Sequence, residues 1–207
     1  MFRRRKDGAP RRGTPADWLV VGLANPGVEY RGTRHNVGGD VVDELARRLG
    51  VTLKVDPRLR ARFAETTAQG VRVLLAVPTT YMNESGAAVV PLLRRSGVED
   101  LGRLLVVHDE LDLEPGRLRL KLGGGLAGNN GLKSISAALR SDDYARLRIG
   151  IGKPPSKERG ADWVLSRPSG AARANLEAST ASAADVVEEV LAHGIEAAST
   201  RLGSSGG

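Results

Sequence analysis

A short apolar run that ends abruptly in a polar turn is the feature that most constrains the fold of this chain. Residues 19–24 are apolar and have the length of a buried strand, and Asn25-Pro26-Gly27 follows at once. Proline fixes its φ angle and glycine can adopt a positive one, so this tripeptide predicts a tight turn. The pattern therefore places Asn25 at the carboxyl end of a strand.

His35 lies ten residues after Asn25, in a polar stretch that precedes an amphipathic helix. Apolar residues from Val37 to Leu49 recur with i, i+4, i+8 spacing, and Gly50 is typical of a helix end. A histidine between a buried strand and a helix is well placed to titrate near neutral pH in a cleft. Taken alone, His35 fits equally a hydrogen bond to loop backbone.

The rest of the chain alternates predicted strands with predicted helices. Strands are predicted at 62–68, 71–77, 104–107, 116–122 and 144–151, and helices from about 84 to 97, up to about 139, and over 171–192. The first two of these strands meet at a Gln-Gly pair typical of a hairpin. We therefore predict an α/β fold: a single three-layer domain over residues 17–202, with a mixed, twisted sheet flanked by helices. Residues 153–168 are predicted to be a mobile surface segment.

The basic charge of the chain is concentrated at its start. Residues 1–12 contain six Lys or Arg and one Asp, so only +2 of the net +7 belongs to the remaining residues. Residues 1–16 are predicted to be a disordered basic tail, either a solvated extension or a weak contact with nucleic acid. Residues 203–207 are predicted to be a flexible tail.

Composition excludes several classes of protein. The 207 residues include no cysteine, which rules out disulfides and thiolate sites and suits a cytoplasmic location. No apolar stretch is long enough to span a membrane, and no apolar segment follows the basic start, so neither a membrane protein nor a secreted one is expected.

Polar side chains recur where the predicted strands end. Asn25, Asn83 and Asp109 each follow an apolar strand, and Asn130 lies where a helix begins. Because the carboxyl ends of strands in an open α/β sheet line one crevice, these residues can meet around His35.

A crevice of this composition supports hydrolysis by an activated water. An aspartate beside a histidine holds one tautomer, which leaves the other ring nitrogen to take a proton from water. Asparagine amides can hold a carbonyl or an oxyanion without adding charge. The alternative role of Asn83 and Asn130 is a turn or a helix N-cap. Tyr81 fits either a packed core aromatic or a stacking surface.

Other motif matches are weaker. Residues 203–207 fit G-x-S-x-G but have no flanking strand and helix, and residues 123–128 fit G-x-G-x-x-G but follow a half-charged strand. The three histidines form no metal-ligand pattern, so no metal site is expected. Lys121 and Arg148 either clamp a phosphate or belong to solvated strand faces.

Several motifs in order resemble one known family. They are Gly22-Leu23-Ala24-Asn25-Pro26-Gly27, Tyr30, Thr33-Arg34-His35-Asn36, Tyr81-Met82-Asn83-Glu84-Ser85-Gly86, His108-Asp109-Glu110-Leu111-Asp112-Leu113, Gly123-Gly124-Gly125 and Arg146-Leu147-Arg148-Ile149-Gly150-Ile151-Gly152. From about residue 18 to the end of the long helix, the chain is similar to the bacterial peptidyl-tRNA hydrolases.

This resemblance implies a monomeric, cofactor-free esterase that cleaves the bond between a peptide and the 3′ end of tRNA. It implies that His35 is the general base, that Asp109 orients it, and that Asn25 contacts the first amide of the peptide. The residues implied to bind substrate, water or tRNA are Asn83 and Asn130, Tyr30 and Tyr81 at the tRNA end, and Lys121 and Arg148 at the 5′ phosphate of the acceptor stem.

One position departs from the family pattern. The family usually reads Gly-Gly-His-Asn-Gly where this chain has Ala-Gly-Asn-Asn-Gly, so Asn129 replaces a histidine and cannot titrate. Activity is expected to persist, at a reduced level, because His35 and Asp109 remain. The alternative function is that of a non-catalytic RNA-binding relative, since organellar splicing factors share this fold.

Overall fold

Seven strands form one mixed sheet in the computed structural model, which describes residues 14–204. The strands are β1 (Trp18–Gly22), β2 (Lys54–Asp56), β3 (Ala61–Ala68), β4 (Val71–Pro78), β5 (Leu104–Glu110), β6 (Leu118–Leu122) and β7 (Ala145–Gly150). Their order is β2-β3-β4-β1-β5-β7-β6. Strands β4, β1, β5 and β7 are mutually parallel, whereas β3 is antiparallel to β2 and β4, and β6 is antiparallel to β7. The predicted mixed sheet is confirmed.

The sequence of each strand matches its place in the sheet. Strands β1 and β5 are buried along their whole length, and β4 is buried from Val73 onwards, as expected for near-continuous apolar runs in a parallel centre. Strand β6 lies at an edge, where Leu120 is buried while Arg119 and Lys121 are exposed. Its alternating pattern therefore presents cations at the rim of the molecule.

Helices cover both faces of the sheet. They are α1 (Val37–Arg48), α2 (Gly86–Ser96), α3 (Asn130–Leu139), α4 (Gly160–Leu165), α5 (Gly170–His193) and α6 (Ile195–Ser204). Apolar residues of α1, α5 and α6 pack on one face of the sheet, and those of α2 and α3 pack on the other. The alternation of side chains along β1 and β5 supplies both cores, and the predicted three-layer α/β domain is confirmed.

A close backbone contact fixes the start of α1 against the centre of the sheet. A Cβ atom added to Gly22 would lie 2.1 Å from the carbonyl oxygen of Gly38, and one added to Gly38 would lie 2.2 Å from that of Val107. Only glycine permits this approach, since any side chain would push α1 away from β1 and β5. The turn that precedes α1 is therefore held directly above the carboxyl ends of these two strands.

Several details differ from the sequence-based predictions. Strand β5 runs past Val107 to Glu110 because its ladder with β7 continues, so Asp109 lies within a strand. Residues 153–168 contain a 3₁₀ turn and α4, where the sequence predicted a mobile surface segment. Strand β2 and helix α6 were not predicted, because β2 is only three residues long and α6 follows α5 after a single residue, Gly194. Helix α2 includes Pro91 and ends at Gly97 in a left-handed conformation, as predicted for that glycine.

Most of the predicted basic tail lies outside the described residues, as do residues 205–207. Within it, the backbone N–H of Ala16 donates to Ser96. Residues 203 and 204 belong to the last turn of α6. Among residues 14–204, no helix combines the length and the apolar character that a membrane span requires.

Candidate active site

His35 and Asp109 meet at the carboxyl end of the sheet. His35 lies in a 3₁₀ turn, Arg34–Asn36, directly before α1, and Asp109 is the penultimate residue of β5. The Nδ1 atom of His35 is 2.9 Å from Oδ1 of Asp109. Because an ionised carboxylate can only accept, Nδ1 carries the hydrogen and Nε2 is the ring nitrogen free to accept a proton. The two side chains are 12% and 3% exposed, so this contact is shielded from bulk water.

The same carboxylate oxygen of Asp109 has a second donor, the amide of Asn129. The distance from Nδ2 of Asn129 to Oδ1 of Asp109 is 3.2 Å. The other end of this amide caps α3, since its Oδ1 accepts from the backbone N–H groups of Gly131 and Leu132. Asn129, and not Asn130, is therefore the N-cap of α3.

Three hydrogen bonds, two with Asn36 and one with Met82, hold Asn25 in place. Its backbone N–H donates to Oδ1 of Asn36 and its carbonyl accepts from Nδ2 of Asn36, both at 2.9 Å. Its own Oδ1 accepts from the backbone N–H of Met82 at 2.8 Å. These contacts fix the amide plane and leave the Nδ2 group of Asn25 as a donor for a ligand.

The two remaining asparagines lie on either side of one packed junction. Asn83 is exposed in the 3₁₀ turn Met82–Glu84, and Asn130 is exposed as the first residue of α3. A Cβ added to Gly131 would lie 2.7 Å from Sδ of Met82, so this turn packs tightly on the start of α3. Asn83 and Asn130 thus lie around this junction, which Asn25 contacts through Met82.

A cavity of about 220 Å³ opens beside His35. Its lining includes His35, Asp109, Glu110 and residues 127–130, and one wall is formed by α4 through Gly160, Ala161 and Val164. Asn25 and Asn83 are not among the lining residues. Among the described residues, no three His, Asp or Glu side chains cluster closely enough to hold a metal ion.

Helix α4 is fastened to the turn that carries His35. The guanidinium of Arg34 lies 4.0 Å from the centre of the Trp163 ring, and its Nη1 donates to Oγ of Ser166 at 2.5 Å. Arg167 donates to the carbonyls of residues 28, 29 and 31. These contacts connect the α4 wall of the cavity to the turn that carries His35.

His108, the neighbour of Asp109, has a structural role. It is buried on the opposite side of β5, where its Nδ1 donates to the carbonyl of Asp109 at 2.7 Å. Burial lowers the pKa of His108, so it stays neutral at physiological pH.

Comparison with known proteins decides the family. A sequence profile described as Peptidyl-tRNA hydrolase matches residues 19–206. This chain belongs to the peptidyl-tRNA hydrolase family. A peptidyl-tRNA hydrolase of Cutibacterium acnes is 47% identical over 197 residues, covering 90% of this chain and 98% of that protein. One from Kineococcus radiotolerans is 49% identical over 192 residues, covering 89% and 96%.

Solved structures of the peptidyl-tRNA hydrolase family share this fold. The crystal structure of the peptidyl-tRNA hydrolase from Acinetobacter baumannii superposes with a TM-score of 0.84 at 38% identity. The match covers 92% of this chain and 97% of that one. The predicted membership of the peptidyl-tRNA hydrolases is therefore confirmed.

The two cations that the family resemblance assigns to a phosphate lie outside the cavity. Lys121 on β6 and Arg148 on β7 line a groove along the sheet edge, together with Arg117 and Arg119. Lys121 is exposed. Arg148 is paired with Glu110, whose Oε2 accepts from its Nε at 2.9 Å and lies 2.8 Å from its Nη2.

The two tyrosines that the resemblance assigns to the tRNA end form an aromatic pair. Tyr30 and Tyr81 have ring centroids 6.3 Å apart in an edge-to-face arrangement. Tyr81 is 53% exposed, so it is not a core residue. The pair presents an accessible ring directly before Met82, the residue that Asn25 holds.

Sequence reasoning assigned no role to three residues that shape the site. Asn36 holds the backbone of Asn25, Arg167 holds the turn before His35, and the buried Arg146 donates to the carbonyls of Gly124 and Gly125. The signal for Arg146 was a charged residue inside a predicted strand, because such a residue is buried only with partners.

Proposed function

We propose that this chain hydrolyses the ester bond between a peptide and the 3′ end of tRNA, with His35 as the base that activates water. The observation that carries the proposal is the 2.9 Å contact between His35 and Asp109 at the wall of an accessible cavity. This contact fixes the tautomer in which Nε2 can take a proton.

In the proposed reaction, His35 carries one proton from the attacking water to the leaving ribose oxygen. Water attacks the ester carbonyl carbon while Nε2 takes its proton, and the negative charge of Asp109 stabilises the imidazolium. The tetrahedral intermediate then expels the ribose oxygen, which receives the proton from Nε2. The products are free tRNA and a peptide carboxylic acid, which becomes a carboxylate by losing its proton to solvent, and no cofactor is consumed.

The asparagines supply neutral donors around the reacting group. The Nδ2 of Asn25 is oriented by the contact of its Oδ1 with Met82, so it can donate to the carbonyl of the first peptide amide. Asn130 lines the cavity and Asn83 lies on the adjoining turn, where they would hold water and substrate. A donor for a peptide carbonyl distinguishes peptidyl-tRNA from free aminoacyl-tRNA, which has no such group.

The remaining contacts with tRNA would be made by side chains outside the cavity. Tyr81 offers an exposed ring on which a terminal base can stack. Lys121 and Arg148 present positive charge on adjacent strands and would bind the 5′ phosphate of the acceptor stem. A monomeric state remains a prediction of the resemblance, and a cytoplasmic location remains a prediction of the cysteine-free composition.

Peptide release from an N-acetyl-aminoacyl-tRNA tests the proposal. We expect the wild-type chain to release the acylated amino acid and His35→Ala to be slower by about a thousandfold or more, because the base is lost. His193→Ala is the matched control, since this histidine is exposed on α5 and should leave the rate unchanged.

Equal rates for the wild type and His35→Ala would overturn the assignment of the base. No release by either protein, with tRNA binding retained, would favour the non-catalytic RNA-binding alternative. Circular dichroism of each variant checks that the fold is intact.

A further inference from the structure

Both ends of the Asn129 side chain are used in the structure. Its oxygen caps α3 by accepting from two backbone N–H groups at 2.9 and 3.1 Å, and its nitrogen donates to Asp109 at 3.2 Å. One amide therefore connects the start of a helix to the carboxylate that holds His35. No other side chain is seen to bridge α3 and Asp109 in this way among residues 14–204.

The anchoring of Asn129 does not depend on Asp109. Two hydrogen bonds to the first turn of α3 orient the amide plane, and the loop before it is held by Arg146 through the carbonyls of Gly124 and Gly125. The Nδ2–H group is thus aimed by its own surroundings. A donor that is fixed in advance can restrain an acceptor, and the restrained group here is Asp109.

We propose that Asn129 is a positioning residue, which holds Asp109 and shares with His35 the carboxylate oxygen that orients the imidazole. The inference rests on the proposed function and extends it to a position where this chain departs from its family. Because an amide does not ionise, Asn129 keeps its N–H donor at every pH at which the protein is folded.

The physical basis is competition for one oxygen. His35 and Asn129 both donate to Oδ1 of Asp109, so the amide satisfies part of the charge that would otherwise stabilise a protonated imidazole. Without that donor, the carboxylate would hold the proton on His35 more strongly. His35 would then remain protonated to a higher pH and could not act as a base there.

Other charged groups around the pair are accounted for by their own contacts. Glu110 is paired with Arg148, His108 is buried against backbone, and Arg34 stacks on Trp163. The residues of α4 that line the cavity are uncharged. Besides His35, Asn129 is the side chain seen to donate to Asp109 among residues 14–204.

Two substitutions separate the donor of Asn129 from its cap. Asn129→Ser keeps a side-chain oxygen for the N-cap and replaces the amide donor with the hydroxyl of a shorter side chain, whereas Asn129→Asp keeps the oxygen and puts a negative charge in place of the donor. Asp100→Ala is the matched control, because Asp100 caps the 3₁₀ turn Leu101–Arg103 at the other end of β5. It removes a cap without touching the site.

The readouts are the pH profile of kcat/KM for peptide release and the NMR titration of the His35 ring. We expect kcat to fall about tenfold in Asn129→Ser, the size of one lost hydrogen bond to a charged group. The acidic limb of the kcat/KM profile and the midpoint of the His35 NMR titration should both move to higher pH. The expected shift is about half a unit in Asn129→Ser and about one unit in Asn129→Asp. Asp100→Ala should lower the melting temperature and move neither.

The proposal is overturned if both Asn129 variants keep the wild-type limb and midpoint, since Asn129 would then only cap α3. A shift of equal size in Asp100→Ala would also overturn it, because loss of stability would explain the effect. The NMR titration needs no turnover, and only three histidines contribute signals. An inactive wild type would therefore contradict the proposed function while the midpoints still decide the role of Asn129.

Discussion

The cavity beside His35 and the groove along β6 hold their polar groups in opposite ways. In the cavity, Asp109 is 3% exposed and accepts from two fixed donors. In the groove, Arg119 and Lys121 are exposed on an edge strand. The polar groups of the cavity are therefore fixed by hydrogen bonds, whereas these cations of the groove are exposed to solvent.

The difference follows from what each region has to do. Proton transfer requires atoms within about 3 Å of one another, in a site where water cannot screen them, so the donors and acceptors must be held before substrate arrives. Attraction of a polyanion requires only positive charge at the surface, and long solvated side chains supply it.

Arg148 belongs to both regions. Its partner Glu110 is 2% exposed and lines the cavity, while Arg148 itself lines the groove. The ion pair holds one cation of the groove in a fixed orientation. Lys121 is exposed on the edge strand, whereas Arg148 is held by Glu110.

The strongest test of an organised cavity is Asp109→Asn. The asparagine keeps the shape of the carboxylate but removes the charge that stabilises an imidazolium, and it can present a donor to Nδ1 and so favour the wrong tautomer. We expect kcat to fall about a thousandfold or more with little change in KM. Asp112→Asn, an exposed carboxylate three residues away, is the control and should behave as wild type. A rise in KM with kcat unchanged would mean that Asp109 acts only in binding.

The groove should respond in KM and in salt dependence. Lys121→Ala and Arg148→Ala should each raise KM about tenfold at low salt and reduce the slope of log affinity against log salt by about one. The effect should disappear for tRNA that lacks a 5′ phosphate. Arg173→Ala removes an exposed cation from α5 and serves as the control. A loss of kcat in the Lys121 variant would contradict the separation of the two regions.

The contact between α4 and the His35 turn predicts a smaller effect. Arg34→Ala removes the stacking on Trp163 and the hydrogen bond to Ser166, so the cavity wall should loosen. We expect kcat/KM to fall about fivefold, and amide exchange in residues 160–166 to become faster. Arg95→Ala removes a similar cation from the Phe63 ring, away from the cavity. This control should change neither kcat/KM nor the exchange of residues 160–166. Unchanged exchange would show that α4 is held by other contacts.

A carboxyl group outside the His35 pair should affect stability alone. Burial is the main cause that raises the pKa of Asp40 to about 6, with Asp43 adding to the shift and Arg62 opposing it. The folded state therefore binds the proton more tightly than the unfolded state, and it loses stability as pH rises from about 4 to about 6. Asn at this position cannot ionise.

Asp40→Asn should therefore be more stable than wild type by about 1 to 2 kcal/mol above pH 6 and no more stable near pH 4. Urea unfolding at several pH values measures this difference. Asp162→Asn changes an exposed carboxyl and should show no such pH dependence. The rate of peptide release at pH 7.5 should be unchanged in both variants.

Local sequence patterns predicted most of the fold because strand and helix periods are local. The apolar runs of β1 and β4 and the alternation in β6 identified these strands and left only their boundaries open. The end of β5 was missed because a polar His-Asp-Glu stretch does not look like a strand. Its pairing with β7 is a distant contact that local patterns do not contain.

The candidate site was predicted in part. The rule that strand ends share a crevice explains why Asn25 and Asp109 were chosen. The family resemblance added Tyr30, and it decided between the alternatives that the residues had left open for Tyr81, Lys121 and Arg148. The role of Asn129 as both cap and donor was not predicted, since it depends on where α3 meets β5. The clamp of Asn36 on Asn25 was missed for the same reason.

The sequence by itself determined most of the strands and helices along the chain, the chemical types of the site residues and the family. Those features depend on periodicity and on residue identity along the chain. Only the tertiary structure decided that His35 and Asn129 share one oxygen of Asp109 and that Glu110 holds Arg148. These contacts join residues up to 74 positions apart. Their geometry is set by how α1 and α3 pack on the sheet and by how β7 pairs with β5.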